Sequence, residues 1–125
     1  MIPPLDRLHD SEVTTVTYDV KHAERTLTMA IIGHPDMGYA KWEGKRLVVR
    51  CDDVLLLRWT AWGHAIGPEL LDAWNALPVD DVTEVKPFFK MGGRRPAQAW
   101  RVSFHSGSHF DVLCERTTVV VVGNS

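Results

Sequence analysis

Short runs of strictly alternating apolar and polar residues recur along this chain, and they constrain its fold more than any other feature. In "VTTVTYDV" (13–20), Val16, Tyr18 and Val20 fall on one side, and Thr15, Thr17 and Asp19 on the other. "RTLTMAII" (25–32) repeats the pattern through Leu27, Met29 and Ile31. A two-residue period sends alternate side chains to opposite faces of a strand and has no counterpart in a helix. "KHAE" (21–24) lies between the two runs as a turn, so together they read as a β-hairpin.

The remaining segments extend this reading. "GHPDMG" (33–38) is a loop by composition. "YAKW" and "KRLVVRC" flank Glu43-Gly44, which suits a tight hairpin turn. "VLLLRWTAW" (54–62) is apolar at both parities over 54–57, as expected of a central strand covered on both faces. "PELLDAWNAL" (68–77) reads as a helix. Pro68 suits its first position, Glu69 its positive end, and Leu70, Trp74 and Leu77 recur at i, i+4 and i+7, with Pro78 as the stop. "DVTEVKPFF" (81–89) reads as an edge or bulged strand, because Pro87 cannot donate to a ladder. After the Gly92-Gly93 turn come three more strand-like runs, "AWRVSFH", "HFDVLCE" and "TTVVVV". The expectation is one α+β domain over residues 1–125. It comprises a mostly antiparallel, curved sheet of about seven or eight strands with one helix (68–77) packed on it. Val119–Val122 is apolar on both faces, so it calls for cover by the helix and opposing strands or by a second subunit in a homodimer.

Composition sets further bounds. The chain has 125 residues and a net charge of −2, which creates no global field toward nucleic acid or membrane. No run approaches the roughly 20 apolar residues of a membrane span. The N-terminus lacks the basic start and apolar run of a signal peptide. Cys51 and Cys114 match neither a disulfide scaffold nor a zinc motif, so they read as buried free thiols in a reducing, cytoplasmic setting. One local imbalance stands out: Lys86, Lys90, Arg94, Arg95 and Arg101 lie between residues 85 and 110 without a carboxylate. This points to an acidic or phosphate-bearing partner held by Lys90, Arg94, Arg95 and Arg101. Nucleic acid is disfavoured, because the aromatic Trp100 is assigned inward rather than to the basic face.

The stretch "FHSGSHF" (104–110) is a palindrome about Gly107. A three-residue loop centred on Gly107 would oppose His105 to His109, Phe104 to Phe110 and Ser103 to Asp111. Phe104, Val102, Trp100, Phe110, Val112 and Cys114 would then share an apolar face. Ser103, Arg101, His105, His109 and Asp111 would share the other. Two opposed imidazoles with Asp111 form a candidate metal site at His105, His109 and Asp111, or a pH-sensitive pair. Asp52-Asp53 and Asp80-Asp81 read as turn residues. Trp59, Trp62 and His64 lead into "GHAIGP", which would cap the core or rim a ligand pocket. There is no phosphate-cradling glycine motif and no G-x-S-x-G elbow.

"LHDSEV" (8–13) contains the residue types of a hydrolase triad, but adjacent residues cannot chain Ser to His to Asp. Asp10 and Ser11 instead suit local backbone bonding at the entry to the first strand. A Leu-His-Asp-Ser run followed by two alternating strands resembles the opening of a group of small bacterial β-rich proteins, which includes immunity proteins of polymorphic-toxin systems. The resemblance spans residues 8–32 and carries over no catalytic residues. It implies a non-enzymatic protein–protein interaction module that binds and blocks a partner toxin, with no cofactor. The alternative is a small-ligand or metal-binding protein, or a small enzyme, built on the histidine hairpin.

Overall fold

The structure, a computed structural model, describes residues 3–21, 24–60, 69–79 and 82–124. Pro68, Trp62, His64 and the Asp80-Asp81 pair lie outside the described residues. The strands are β1 (Glu12–Lys21), β2 (Glu24–Ile32), β3 (Lys45–Asp52), β4 (Leu56–Thr60), β5 (Glu69–Ala76), β6 (Gln98–Phe104), β7 (His109–Cys114) and β8 (Arg116–Asn124). All eight belong to one sheet in the order β4-β7-β6-β5-β1-β2-β3-β8, and every pairing is antiparallel. The alternating runs form the expected ladders: Val16 opposes Met29, and Tyr18 opposes Leu27. Leu27, Met29, Ile31, Leu47, Val49 and Cys51 point to one side and are buried.

The fold is mostly β, and the helix expected over 68–77 is not there. Residues 69–76 form β5, and no described helix reaches seven residues. The misleading signal has a physical cause. β5 carries a bulge between Leu71 and Ala73. One extra residue lets positions three apart share a face, so both Leu71 and Trp74 enter the core while Leu70 is exposed. In sequence this spacing imitates a helical stripe. The converse error occurs at 81–89. There Thr83–Val85 forms a 3-10 turn and Lys86–Lys90 a short α-helix, α1, with Pro87 in its first turn. "YAKW" also departs from strand, since residues 40–44 are turns.

One core cluster contains Leu27, Ile31 and Val49 from β2 and β3 together with Trp74, Val102 and Phe110 from β5 to β7. The sheet is therefore folded so that its two halves face each other across shared apolar contacts. A second cluster lies on the other face of β6 and β7, where Val82 and Val85 pack with Ala99 and Leu113, joined by Leu55, Leu56 and Phe89. This explains the apolar run at 54–57. The start of β4 is covered on both faces, with Leu57 on one and Leu56 on the other, while Trp59 and Thr60 are exposed, and the strand ends the order rather than lying at its centre.

The topology has an internal two-fold logic. Exchanging β1 with β5, β2 with β6, β3 with β7 and β4 with β8 reverses the strand order and leaves it otherwise unchanged. Each half is a three-stranded meander whose fourth strand crosses over. β4 pairs with β7, and β8 pairs with β3. A bulge lies near the start of both β1 and β5.

The β2–β3 connection closes through a close backbone approach. The Gly33 N–H donates to the Lys45 carbonyl at 2.8 Å. A Cβ at position 33 would lie 2.0 Å from the Trp42 carbonyl oxygen. Trp42 is buried and meets Tyr39 edge-on at 4.7 Å. Gly33→Ala is expected to cost about 1–3 kcal/mol in urea unfolding, since backbone must shift to admit the methyl group. An unchanged midpoint would contradict this packing.

Candidate functional site

The Leu-His-Asp-Ser run forms a knot where β1 meets β5. A 3-10 turn over Leu5–Leu8 buries Leu5 and Leu8 in the core. The chain then turns at Asp10, which takes a left-handed conformation with φ of 64°. Asp and Asn tolerate this region better than other non-glycine residues. The Asp10 N–H donates to the Leu71 carbonyl at 2.7 Å, and the Leu71 N–H donates to the Ser11 carbonyl at 2.8 Å. Ser11 is fully buried, and its hydroxyl oxygen accepts from the His34 N–H at 3.1 Å. The local bonding expected of this run is therefore joined by contacts far along the chain.

Histidines and carboxylates gather on the exposed side of the knot. His9 Nδ1 lies 2.6 Å from the Asp72 carbonyl oxygen. His105 Nε2 lies 2.7 Å from Asp10 Oδ1, and His9 Nε2 lies 3.4 Å from Asp10 Oδ2. The two imidazole centroids are 5.9 Å apart. The hairpin turn carrying His105 is docked here by the His105 N–H, which donates to the Leu70 carbonyl at 2.9 Å, and by the Ser106 hydroxyl, which donates to Glu69 at 2.9 Å. His9, Asp10, His34 and Asp36 also line a surface cleft with Asp6 and Arg7.

The hairpin register differs from the mirror arrangement. Val102 opposes Phe110, Arg101 opposes Asp111, and Ser103 opposes His109. Phe104 N–H donates to Ser108 O, Gly107 N–H donates to Phe104 O, and Gly107 has φ of 94°. The three-residue loop is thus 105–107, with glycine at its left-handed last position rather than at its centre. The face assignments survive, because the pairing moves by two residues. The opposition of His105 to His109 does not survive, and His109 sits on β7 against Ser103 and Thr60.

Asp111 is not available to those histidines. It is fully buried and held by two guanidinium groups. Arg101 Nε donates to Oδ1 at 2.7 Å, and Arg58 Nη2 to Oδ2 at 2.6 Å. Burial by itself would raise the Asp111 carboxyl. Hydrogen bonds and charge from Arg101 and Arg58 outweigh it and hold the group below the usual carboxylate range. Arg101, although part-exposed, is thereby engaged by Asp111. Arg94 reaches Glu115 at 3.3 Å, Arg95 lies over the Phe89 ring at 4.7 Å, and Lys90 ends α1 in an exposed position. The basic stretch is therefore divided among separate contacts.

Cys51 and Cys114 are buried free thiols at the ends of β3 and β7. Both sulfurs approach the Thr117 hydroxyl, at 3.7 Å and 3.6 Å. Hydrogen bonding toward Cys114 and burial push the Cys51 thiol up, keeping it protonated. Comparison with family models, curated proteins and solved structures returns no match.

The Asp111 ion-pair cluster carries a pH signature. A carboxyl held low in the folded state stabilises the fold at neutral pH, and this contribution fades as pH falls through its folded value. Asp111→Asn is expected to lower stability by about 1.5–3 kcal/mol at neutral pH. The gap from the parent should narrow under acid conditions below the ordinary carboxyl range. Parallel stability curves for parent and variant down to that limit would refute the assignment.

Proposed function

We propose that this chain is a non-enzymatic protein-binding module of the immunity-inhibitor type, which captures an extended segment of a partner protein, such as a toxin, along β8. One observation carries the reading. Val120, Val121 and Val122 are 54%, 45% and 52% exposed on the last strand of the sheet order. Neighbouring strand residues point to opposite faces, so this end of β8 is open on both sides. No proline, lysine or other charge blunts the edge between Thr117 and Asn124. Such an edge accepts a further strand through main-chain hydrogen bonds.

The surrounding charge indicates what kind of segment fits. β3 and β8 together carry Lys45, Arg46, Arg50 and Arg116 against the single carboxylate of Asp52. The start of β8 also borders a cleft lined by Arg94, Arg116, Gln98 and Thr118, with Asp53 and Glu115. A segment with an apolar centre and acidic ends complements this frame. A second copy of the chain would instead bring the same cations together, which disfavours self-pairing. The Leu-His-Asp-Ser resemblance supports the same functional class independently.

The test uses a synthetic peptide with a valine–threonine centre and glutamates at both ends, and a counterpart ending in lysines. The acidic peptide should bind and slow amide exchange along β8, while the lysine-ended peptide should not. Val120→Lys should weaken acidic-peptide binding by about tenfold or more. It should also leave stability within about 0.5 kcal/mol of the parent, as expected at an exposed site. Equal binding of both peptides, binding of neither, or dimerisation of the free protein that Val120→Lys abolishes would overturn the proposal.

A further inference from the structure

The histidine–carboxylate cluster at the knot supports an inference separate from the β8 surface. Among the described residues, His9, Asp72 and His105 each offer a metal-ligating atom, and these atoms all lie within 4.8 Å of one another. They come from three parts of the chain: the turn before β1, the bulge of β5, and the turn between β6 and β7. Two imidazoles and one carboxylate form a donor set suited to zinc and similar divalent transition metals. Three protein ligands leave a fourth position for solvent or another side chain.

The hydrogen bonding of His9 points the same way. Its Nδ1 lies 2.6 Å from a carbonyl oxygen, so that nitrogen carries the proton and donates. In a neutral ring Nε2 then bears a lone pair, and it faces a carboxylate oxygen of Asp10 at 3.4 Å. A lone pair against an anionic oxygen is repulsive, and either a proton on the ring or a metal ion relieves the contact. His105 Nε2 contacts the other oxygen of the same carboxylate at 2.7 Å. Asp10 and Asp72 thus bring two negative charges to a cluster whose ring nitrogens converge. A divalent cation satisfies both the charge and the lone pairs. The bond from His9 Nδ1 to a backbone carbonyl is also how metal-ligating histidines are commonly oriented.

We propose that His9, Asp72 and His105 form a binding site for a divalent transition-metal ion of the zinc class, with Asp10 supporting the two imidazoles. The ion would clamp the N-terminal turn and the β6–β7 turn onto β5. This site replaces the one read from the palindrome, sharing His105 with it and excluding His109 and Asp111.

The experiment is zinc titration of the chelator-treated protein by calorimetry, together with cobalt absorption spectra. One equivalent of zinc should bind, and cobalt should give the visible bands of a low-coordinate site. Outer-shell partners of metal ligands are typically worth about 10–100-fold in affinity, so His9→Ala and His105→Ala should each weaken zinc binding by about tenfold or more. Asp72→Asn, which preserves size and backbone, should also weaken it, and it serves as the second variant should a histidine change unfold the chain. His109→Ala should bind zinc as the parent does. Zinc should raise the melting temperature of the parent and of His109→Ala but not that of Asp72→Asn. Absence of binding in the parent, retention of parental affinity in Asp72→Asn and His9→Ala, or loss of binding in His109→Ala would overturn the site.

Discussion

The short ladder between β1 and β5 is the constraint on which the rest of this structure depends. Among the described residues, two opposed positions, Glu12 with Leu70 and Val13 with Glu69, pair the two four-stranded halves along their shared edge. Two pairs do not by themselves define how two halves face each other. The Leu-His-Asp-Ser knot supplies what is missing, because Asp10 and Ser11 extend the bonding to Leu71 on either side of its peptide. Leu8 anchors the knot from below, and buried Ser11 ties it to His34 beyond β2. A buried hydroxyl without a partner costs about 1–3 kcal/mol, so this contact also removes a penalty. The left-handed turn at Asp10 and the bulge at Asp72 flank this junction on either side. They bring His9, Asp72 and His105 together, so a cation held there would reinforce the joint where the ladder is weakest.

How much of this was readable from sequence depends on whether a signal was local. The pairing of β1 with β2 was readable from alternation over a long run, but the burial of β1 was not, since Val16, Tyr18 and Val20 are exposed. The two faces of β6 and β7 were readable, since Val102, Phe104, Phe110 and Val112 keep one parity whichever residue centres the turn. The exact register was not, because a palindrome invites a symmetric loop while the turn places glycine at its last position. β5 failed for a sharper reason. Its bulge converts a two-residue period into a three-residue one at Leu71 and Trp74, and periodicity alone cannot separate that from a helix. The true helical spacing, Val82, Val85 and Phe89, was hidden behind Pro87. Of the candidate site, His105 was singled out and its partners were not. His9 and Asp72 reach it through pairings between distant strands, and no spacing rule encodes those.

The two-fold topology sharpens the reading of β8. Equivalent strands in a symmetric arrangement face equivalent demands, so β4 and β8 both need cover at their apolar residues. The second half meets this demand at the start of β4 through the long connection between β5 and β6, while Trp59 further along is 48% exposed. Val82, Val85 and Phe89 of that connection pack over Ala99 and Leu113, beside Leu55 and Leu56 at the start of β4. Among the described residues the first half has no counterpart in the equivalent connection, because Lys21 pairs directly with Glu24 and residues 22–23 alone separate β1 from β2. Its outer row of Ala30, Val48 and Val120 therefore runs out to an apolar edge with nothing from the same connection to lie over it. Val120–Val122 stay exposed on β8 while the start of β4 is covered, which makes general stability a poor explanation for the valines. An aggregation-prone edge is a cost to any chain, and capture of an outside strand is the use proposed above for this one.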